Sequence, residues 1–319
     1  MLLKPYRHIT NFEKEGWSML LKSSKKIVVS LIIAFLLTFS LPSGAKAAVY
    51  FYGDGQTVIG NPKIDLAENG DSLIEMARRF DLGYNAIVDA NPTLDPFVPG
   101  DEADVVLPTA WILPDVRSYS GIVINISEMR IYYFYQRGKS KLVDTFPIGI
   151  GSEGFETPVG QFKIIQKITH PNWYPPASIR KERPELPRVV PAGPDNPLGT
   201  HALRLSLGTV LIHGTNRPFA VGRRDSHGCI RMYPEDIPEL YKKVPNGTVV
   251  TIVRQPIKVG VRGKKVYIEV HKDENRSRRD YSVEAVRLLT NKGLIKEVNT
   301  EKLYQALQEK RGIPVNISN

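Results

Sequence analysis

Residues 210–233 constrain this chain more than any other stretch. Val210, Leu211 and Ile212 read as a buried strand that ends at His213. A loop containing Gly, Pro and Arg follows, and Ser226-His227-Gly228-Cys229 then leads back to a second apolar position, Ile230. A fold that holds a strand ending in histidine beside a loop returning with cysteine can set imidazole against thiol. The thiolate is the reactive species, so that pairing activates a nucleophile.

Cys229 is the only cysteine, and His213 and His227 are two of six histidines. Each has an ordinary alternative when taken singly: a lone cysteine is usually a small buried hydrophobe, and a lone histidine is usually structural. Glycines flank both sites, Gly214 and Gly228, which suits close approach of a substrate to the backbone. The amides of Gly228 and Cys229 are candidates to face a developing oxyanion. A zinc site built from His201, His213, His227 and Cys229 is the competing reading, but none of the spacings resembles the usual short paired ligand spacings.

His213-Gly214-Thr215 and Ser226-His227-Gly228-Cys229-Ile230-Arg231 closely resemble the active-site signature of the L,D-transpeptidases of bacterial cell walls, in the subgroup of Gram-negative periplasmic enzymes. The resemblance spans residues 119–254 and takes in residues 147–151 and 157–162 as the strand-turn-strand before the active site. It implies a β-sandwich-like catalytic domain, in keeping with the dense short strands over residues 122–126, 130–135 and 142–150 and a hairpin turn at 136–139. It also implies that Cys229 is the nucleophile and that a carbapenem acylates it. His213 is the better candidate for the base, because it ends a strand and the Gly214 carbonyl can fix its ring. His227 and Gly228 are assigned to the oxyanion region or to orienting the loop, and Ser226 to a bond within the loop. Arg231 suits a substrate carboxylate, and a structural ion pair with Asp225 or Glu235 is the alternative.

The formal net charge of +10 is unevenly spread. Residues 1–47 carry +5 (7 basic, 2 acidic), 48–115 carry −9 (3 basic, 12 acidic), 116–254 carry +8 (19 basic, 11 acidic), and 255–319 carry +6 (14 basic, 8 acidic). The break near residue 115 marks a domain boundary. The basic half suits an anionic polymer, but no base-reading motif or basic helix points to nucleic acid. Lys22, Lys25 and Lys26 precede an apolar run over 27–41 and a small-residue stretch ending in Ala45-Lys46-Ala47. This is the pattern of a signal peptide cleaved after Ala47, with Met19 as the true start. The run is shorter than the roughly 20 residues of a membrane span, so the expectation is a periplasmic protein with no stable span after cleavage. A single unpaired cysteine in an exported protein is itself a sign of a reactive thiol.

Residues 61–108 read as strand, helix, helix, strand, with a helix N-cap at Asp71 or Ser72 and turns at Asn91-Pro92 and Pro99-Gly100. That order resembles a LysM domain, which implies binding to the glycan of peptidoglycan or chitin, with 111–117 as a short linker. The Pro-rich segment 170–199 carries Trp173 and Tyr174 and reads as a lid or substrate wall. Residues 255–319 read as a small α+β extension of two strands and two amphipathic helices.

The resemblance implies that the substrates are peptidoglycan stem peptides. Cys229 attacks the bond between a diamino acid and a terminal D-Ala. An amine then takes the acyl group, either from another stem peptide or from an outer-membrane lipoprotein. Thiolate and base suffice, so neither metal nor cofactor is expected. A hydrolase of the same fold and a non-enzymatic glycan-binding protein are the alternatives.

Overall fold

The computed structural model describes residues 48–273 and 280–319; the expected signal peptide and start at Met19 lie outside the described residues. No helix among the described residues is long and apolar enough to cross a membrane.

The chain begins with β1 (Val49–Phe51), β2 (Val58–Gly60), β3 (Lys63–Leu66), α1 (Leu73–Arg79), α2 (Tyr84–Ala90), β4 (Asp104–Leu107) and β5 (Ala110–Ile112). β3 pairs antiparallel with β4, so the strand-helix-helix-strand order is present. Ser72 is the N-cap of α1, and its hydroxyl accepts from the Glu75 amide while the Glu75 carboxylate reaches back to the Ser72 amide. Asp71 is instead paired with Arg79 at 2.8 Å. The buried Asn91 side chain donates to the Ile87 and Val106 carbonyls and accepts from the Val106 amide, which ties α2 to β4.

The catalytic region is mainly β, as the sequence implied. It comprises β6 (Gly121–Asn125), β7 (Arg130–Arg137), β8 (Ser140–Pro147), β9 (Ile150–Gly151), β10 (Gly160–Thr169), α3 (Ala177–Glu182), β11 (His201–Leu205), β12 (Leu211–His213), β13 (Arg224–Ser226), β14 (Ile230–Arg231), α4 (Asp236–Lys243) and β15 (Val249–Val253). Nine strands form a curled sheet in the order β1-β8-β7-β6-β15-β10-β11-β12-β14, and β13 pairs with β9 beside it. One face packs Ile122, Ile124, Ile131 and Phe146 against Ile237 and Leu240 of α4. The opposite face brings Val123, Tyr132, Phe134 and Val143 into one cluster with Leu73, Met76, Leu82, Ile87 and Trp111. Both faces of β6 are covered, which is why it is an unbroken apolar run rather than an alternating one.

The N-terminal unit is therefore built onto the catalytic sheet. Residues 111–117 do not behave as a free linker at their start: Trp111, Ile112 and Leu113 are buried, and the Arg130 guanidinium lies over the Trp111 ring at 4.1 Å. α2 has no side-chain cap. Its first amides donate instead to carbonyls of the catalytic region, Tyr84 to Val221 at 3.2 Å and Asn85 to Gly222 at 3.1 Å. The backbones meet so closely that a Cβ on Gly222 would lie 2.0 Å from the Tyr84 nitrogen.

The C-terminal extension comprises β16 (Ile257–Arg262), β17 (Lys265–Val270), α5 (Tyr281–Asn291), α6 (Thr300–Glu309) and β18 (Val315–Asn316), with its own apolar cluster. Lys258 of β16 is fully buried. Its ammonium lies 2.7 Å from Glu128, 2.9 Å from Glu269 and 2.7 Å from the Ile112 carbonyl. One lysine thus joins the extension, the catalytic region and the segment between the first two units.

Candidate active site

β12 and β14 are parallel neighbours, with Ile212 opposite Ile230 and His213 opposite Arg231. Ile212 and Ile230 enter the core, so His213 and Arg231 leave the sheet together on its other face. Cys229 immediately precedes β14. His213, Cys229, Ser226, His227 and Arg231 line one cavity of about 270 Å³, whose apolar wall includes Phe155, Trp173, Ile179, Leu198 and Val210.

His213 is buried, and its Nδ1 lies 2.6 Å from the Gly214 carbonyl oxygen. A carbonyl oxygen only accepts, so Nδ1 carries the proton and Nε2 is the basic nitrogen. Burial and the nearby Arg231 charge push the imidazole down to about 4, against the raising effect of the Gly214 bond. At neutral pH the ring is uncharged. Burial likewise pushes the Cys229 thiol up, while a backbone bond at Leu211 and the charges of Arg231 and Arg204 pull it down. The thiol Sγ donates weakly to the Thr209 carbonyl at 3.7 Å. Burial thus disfavours both the imidazolium and the thiolate in this cavity, which fits proton transfer at the moment of attack rather than a standing ion pair.

The loop bearing Cys229 is held from two sides. Ser226 Oγ donates to the Cys229 carbonyl at 2.5 Å. Thr157 Oγ1 donates to the Gly228 carbonyl at 3.1 Å and accepts from the Gly151 amide at 3.0 Å. Gly228 has φ +96°, a left-handed conformation that lets the loop turn just before the sulfur. Thr157 was visible in the sequence only as part of a matched segment; nothing about the residue alone signals a buried hydroxyl bridging two loops.

His227 lines the same cavity as Cys229, and its side chain also meets α3. It is exposed, its Nε2 lies 3.3 Å from Glu182 at the end of α3, and its ring is 4.3 Å from that of Phe155. It therefore meets the segment that covers the cleft. Arg231 takes the structural alternative with Asp225, at 2.9 Å, and also lines the cavity; Glu235 pairs instead with Arg78. Trp173 walls the cavity and is fixed by paired backbone bonds with Val190, both 2.9 Å. Tyr174 is 65% exposed and is not among the residues lining this cavity. The segment 170–199 is tied down by Asn196, whose buried amide donates to the Pro171, Val190 and Pro191 carbonyls.

His201 packs against Tyr241 with ring centroids 4.7 Å apart. Among the described residues, the one group of three metal-type ligands with donor atoms within 4.8 Å is Glu128, Glu269 and His271. The four residues of the zinc alternative do not form such a group, and the Lys258 ammonium already sits against Glu128 and Glu269.

A family model described as the L,D-transpeptidase catalytic domain matches residues 120–252. The chain is 42% identical over 228 residues to the probable L,D-transpeptidase YcfS of Escherichia coli, covering 68% of this chain and 70% of that protein. It is 37% identical over 281 residues to the probable L,D-transpeptidase ErfK/SrfK of Salmonella typhimurium, covering 83% and 89%. With the probable L,D-transpeptidase YbiS of Escherichia coli the identity is 34% over 305 residues, covering 91% and 98%. These alignments extend well beyond the catalytic domain, and with the thiol–imidazole cleft they place the chain in the L,D-transpeptidase family.

Proposed function

We propose that this enzyme acts on peptidoglycan outside the cytoplasmic membrane, in the periplasm, and moves the acyl group of a stem peptide from D-Ala to a second amine. The observation that carries the reading is the fixed tautomer of His213 in the same cavity as Cys229. His213 Nε2 takes the thiol proton as Sγ attacks the carbonyl between a diamino acid and the terminal D-Ala. The tetrahedral intermediate collapses, the proton passes to the departing D-Ala nitrogen, and a thioester remains on Cys229. An acceptor amine then attacks, gives a proton to Nε2, and the thiol is restored. The amides of Gly228 and Cys229 hold the oxyanion. Arg231, partly neutralised by Asp225, presents charge to a substrate carboxylate.

The acceptor is the side-chain amine of another stem peptide, giving a 3→3 crosslink, or a lysine of an outer-membrane lipoprotein. The unit at 61–108 supplies glycan affinity. Its exposed Phe97 and Val98, held in a turn by the Asp95 carboxylate, offer an apolar surface for a sugar ring. The test is mass spectrometry of products from a disaccharide-tetrapeptide, with and without a lysine-bearing acceptor peptide. Crosslinked or peptide-linked products that have lost one D-Ala support transfer; disaccharide-tripeptide alone identifies a hydrolase, and unchanged substrate refutes the reading.

A further inference from the structure

A second cavity, of about 230 Å³, lies away from the thiol, where the three parts of the chain meet. α2 contributes Asn85 and Asp89, the turn between β6 and β7 contributes Ser127, β13 contributes Arg224, the end of β15 contributes Arg254, and the C-terminal part contributes Asp273. Most charges around it are already matched. Lys272 pairs with Asp89 at 2.6 Å, Arg254 pairs with one oxygen of Asp273 at 3.0 Å, and Glu128 pairs with Lys258.

Three buried polar atoms are left without a hydrogen-bond partner: Ser127 Oγ, Arg224 Nη2 and Asp273 Oδ2. The Asp273 side chain is only 2% exposed, so bulk water does not satisfy that oxygen. Buried polar groups are nearly always partnered, and several orphans lining one cavity mark the place of something that completes them. A simple anion on Arg224 would meet the free oxygen of Asp273. A simple cation on Asp273 would meet the free guanidinium of Arg224. The lining therefore calls for both signs in one small molecule.

We propose that this junction cavity binds a free α-amino acid as its zwitterion, with the carboxylate on Arg224, the ammonium on Asp273 Oδ2, and Ser127 Oγ completing the contacts. The volume suits a ligand of roughly ten non-hydrogen atoms or fewer. The position also gives occupancy a route to the catalytic loop. Arg224 opens the strand that ends at Ser226, whose hydroxyl holds the Cys229 carbonyl. The ligand also bridges the catalytic region and the C-terminal extension and so favours their docked arrangement.

The test is titration of the full chain carrying Cys229→Ser, so that turnover plays no part, with glycine and both enantiomers of alanine. Acetate and methylammonium serve as single-sign controls. Binding is read by calorimetry and by amide shifts at Ser127 and Gly312. Saturable amino-acid binding is expected, with at least tenfold weaker binding of either control. Arg224→Gln and the near-isosteric Asp273→Asn should each weaken it at least tenfold, with far-UV circular dichroism showing that each variant is folded at the titration temperature. No saturable binding of any amino acid at tens of millimolar, or binding unaffected by both substitutions, would overturn the proposal. Equally tight acetate binding would reduce the site to a plain anion site and overturn it too.

Discussion

The Nδ1 atom of His213 lies 2.6 Å from the carbonyl oxygen of Gly214, the next residue in the chain. That contact decides which ring nitrogen is basic, and it is made by the backbone rather than by an acidic third member. Among the described residues no carboxylate pairs with this imidazole, and burial with Arg231 nearby opposes an imidazolium. Burial thus favours the neutral form of both the imidazole and the Cys229 thiol.

One consequence concerns the thiol itself. Because burial raises the Cys229 thiol above its ordinary value, thiolate is a small minority at pH 7. Alkylation by iodoacetamide should be slow there and should accelerate about tenfold per pH unit between pH 7 and pH 9. His227→Ala should leave that profile unchanged, since His227 is turned toward Glu182. A rate already level by pH 7 would show a standing thiolate.

A second consequence appears in folding stability. The folded pKa of His213, about 4, lies below its ordinary value of 6.5. Below pH 6.5 the unfolded chain takes up a proton that the folded chain refuses, so the stabilising contribution is complete above pH 6.5 and falls away down to pH 4. The full difference is roughly 3 kcal/mol. The buried pair Asp81 and Asp236, both raised chiefly by burial, acts with the opposite sign, losing stability as pH rises from about 4. The His213 part is isolated by comparing denaturant unfolding of wild type and His213→Gln: the stability gap between them should narrow or reverse from pH 7 to pH 4. A gap independent of pH would contradict the assigned burial.

Docking of the N-terminal unit should depend on Gly222. Its φ is +82°, and an added Cβ would lie 2.0 Å from the Tyr84 nitrogen and 2.4 Å from the Gly83 carbonyl carbon. Gly222→Ala should cost about 2–4 kcal/mol. Gly247 has a similar φ of +87° with nothing within 4 Å, so Gly247→Ala should show the backbone cost alone, about 1 kcal/mol. Equal melting temperatures for the two variants would mean that the close approach is relieved at little cost.

Lys258→Met should destabilise the chain by about 3–5 kcal/mol, because Glu128 and Glu269 would be left buried without their cation. Adding Glu128→Gln and Glu269→Gln should recover part of the loss. Chemical denaturation of the three-site and one-site variants checks this; a triple variant less stable than Lys258→Met alone would contradict it.

What could be read from the sequence was local. The strand ending at His213, the return to Cys229, the hairpin at Gly138, and the strands and helices after residue 256 are set by apolar periodicity and turn residues within a few positions of one another. The strand-helix-helix-strand order of the N-terminal unit was legible for the same reason. What escaped was contact at long range. Trp111–Leu113 looked like the start of a linker because nothing nearby reveals the Arg130 guanidinium above Trp111. Nothing local in the sequence marks Lys258 and Glu128 as partners, since they lie 130 residues apart. The partner of His227 is likewise set by the placement of α3, since Glu182 lies 45 residues away.

The central claim is that Cys229 is acylated with His213 as its base. It is tested most directly by following acyl-enzyme formation by intact-mass spectrometry at pH 7, with a tetrapeptide donor and no acceptor, in wild type, His213→Ala and Cys229→Ala. Wild type should gain one adduct of the donor minus D-Ala. His213→Ala should form it about 10²–10⁴-fold more slowly, and Cys229→Ala should not form it. An adduct that arises at the wild-type rate without His213, or that persists without Cys229, would contradict the account.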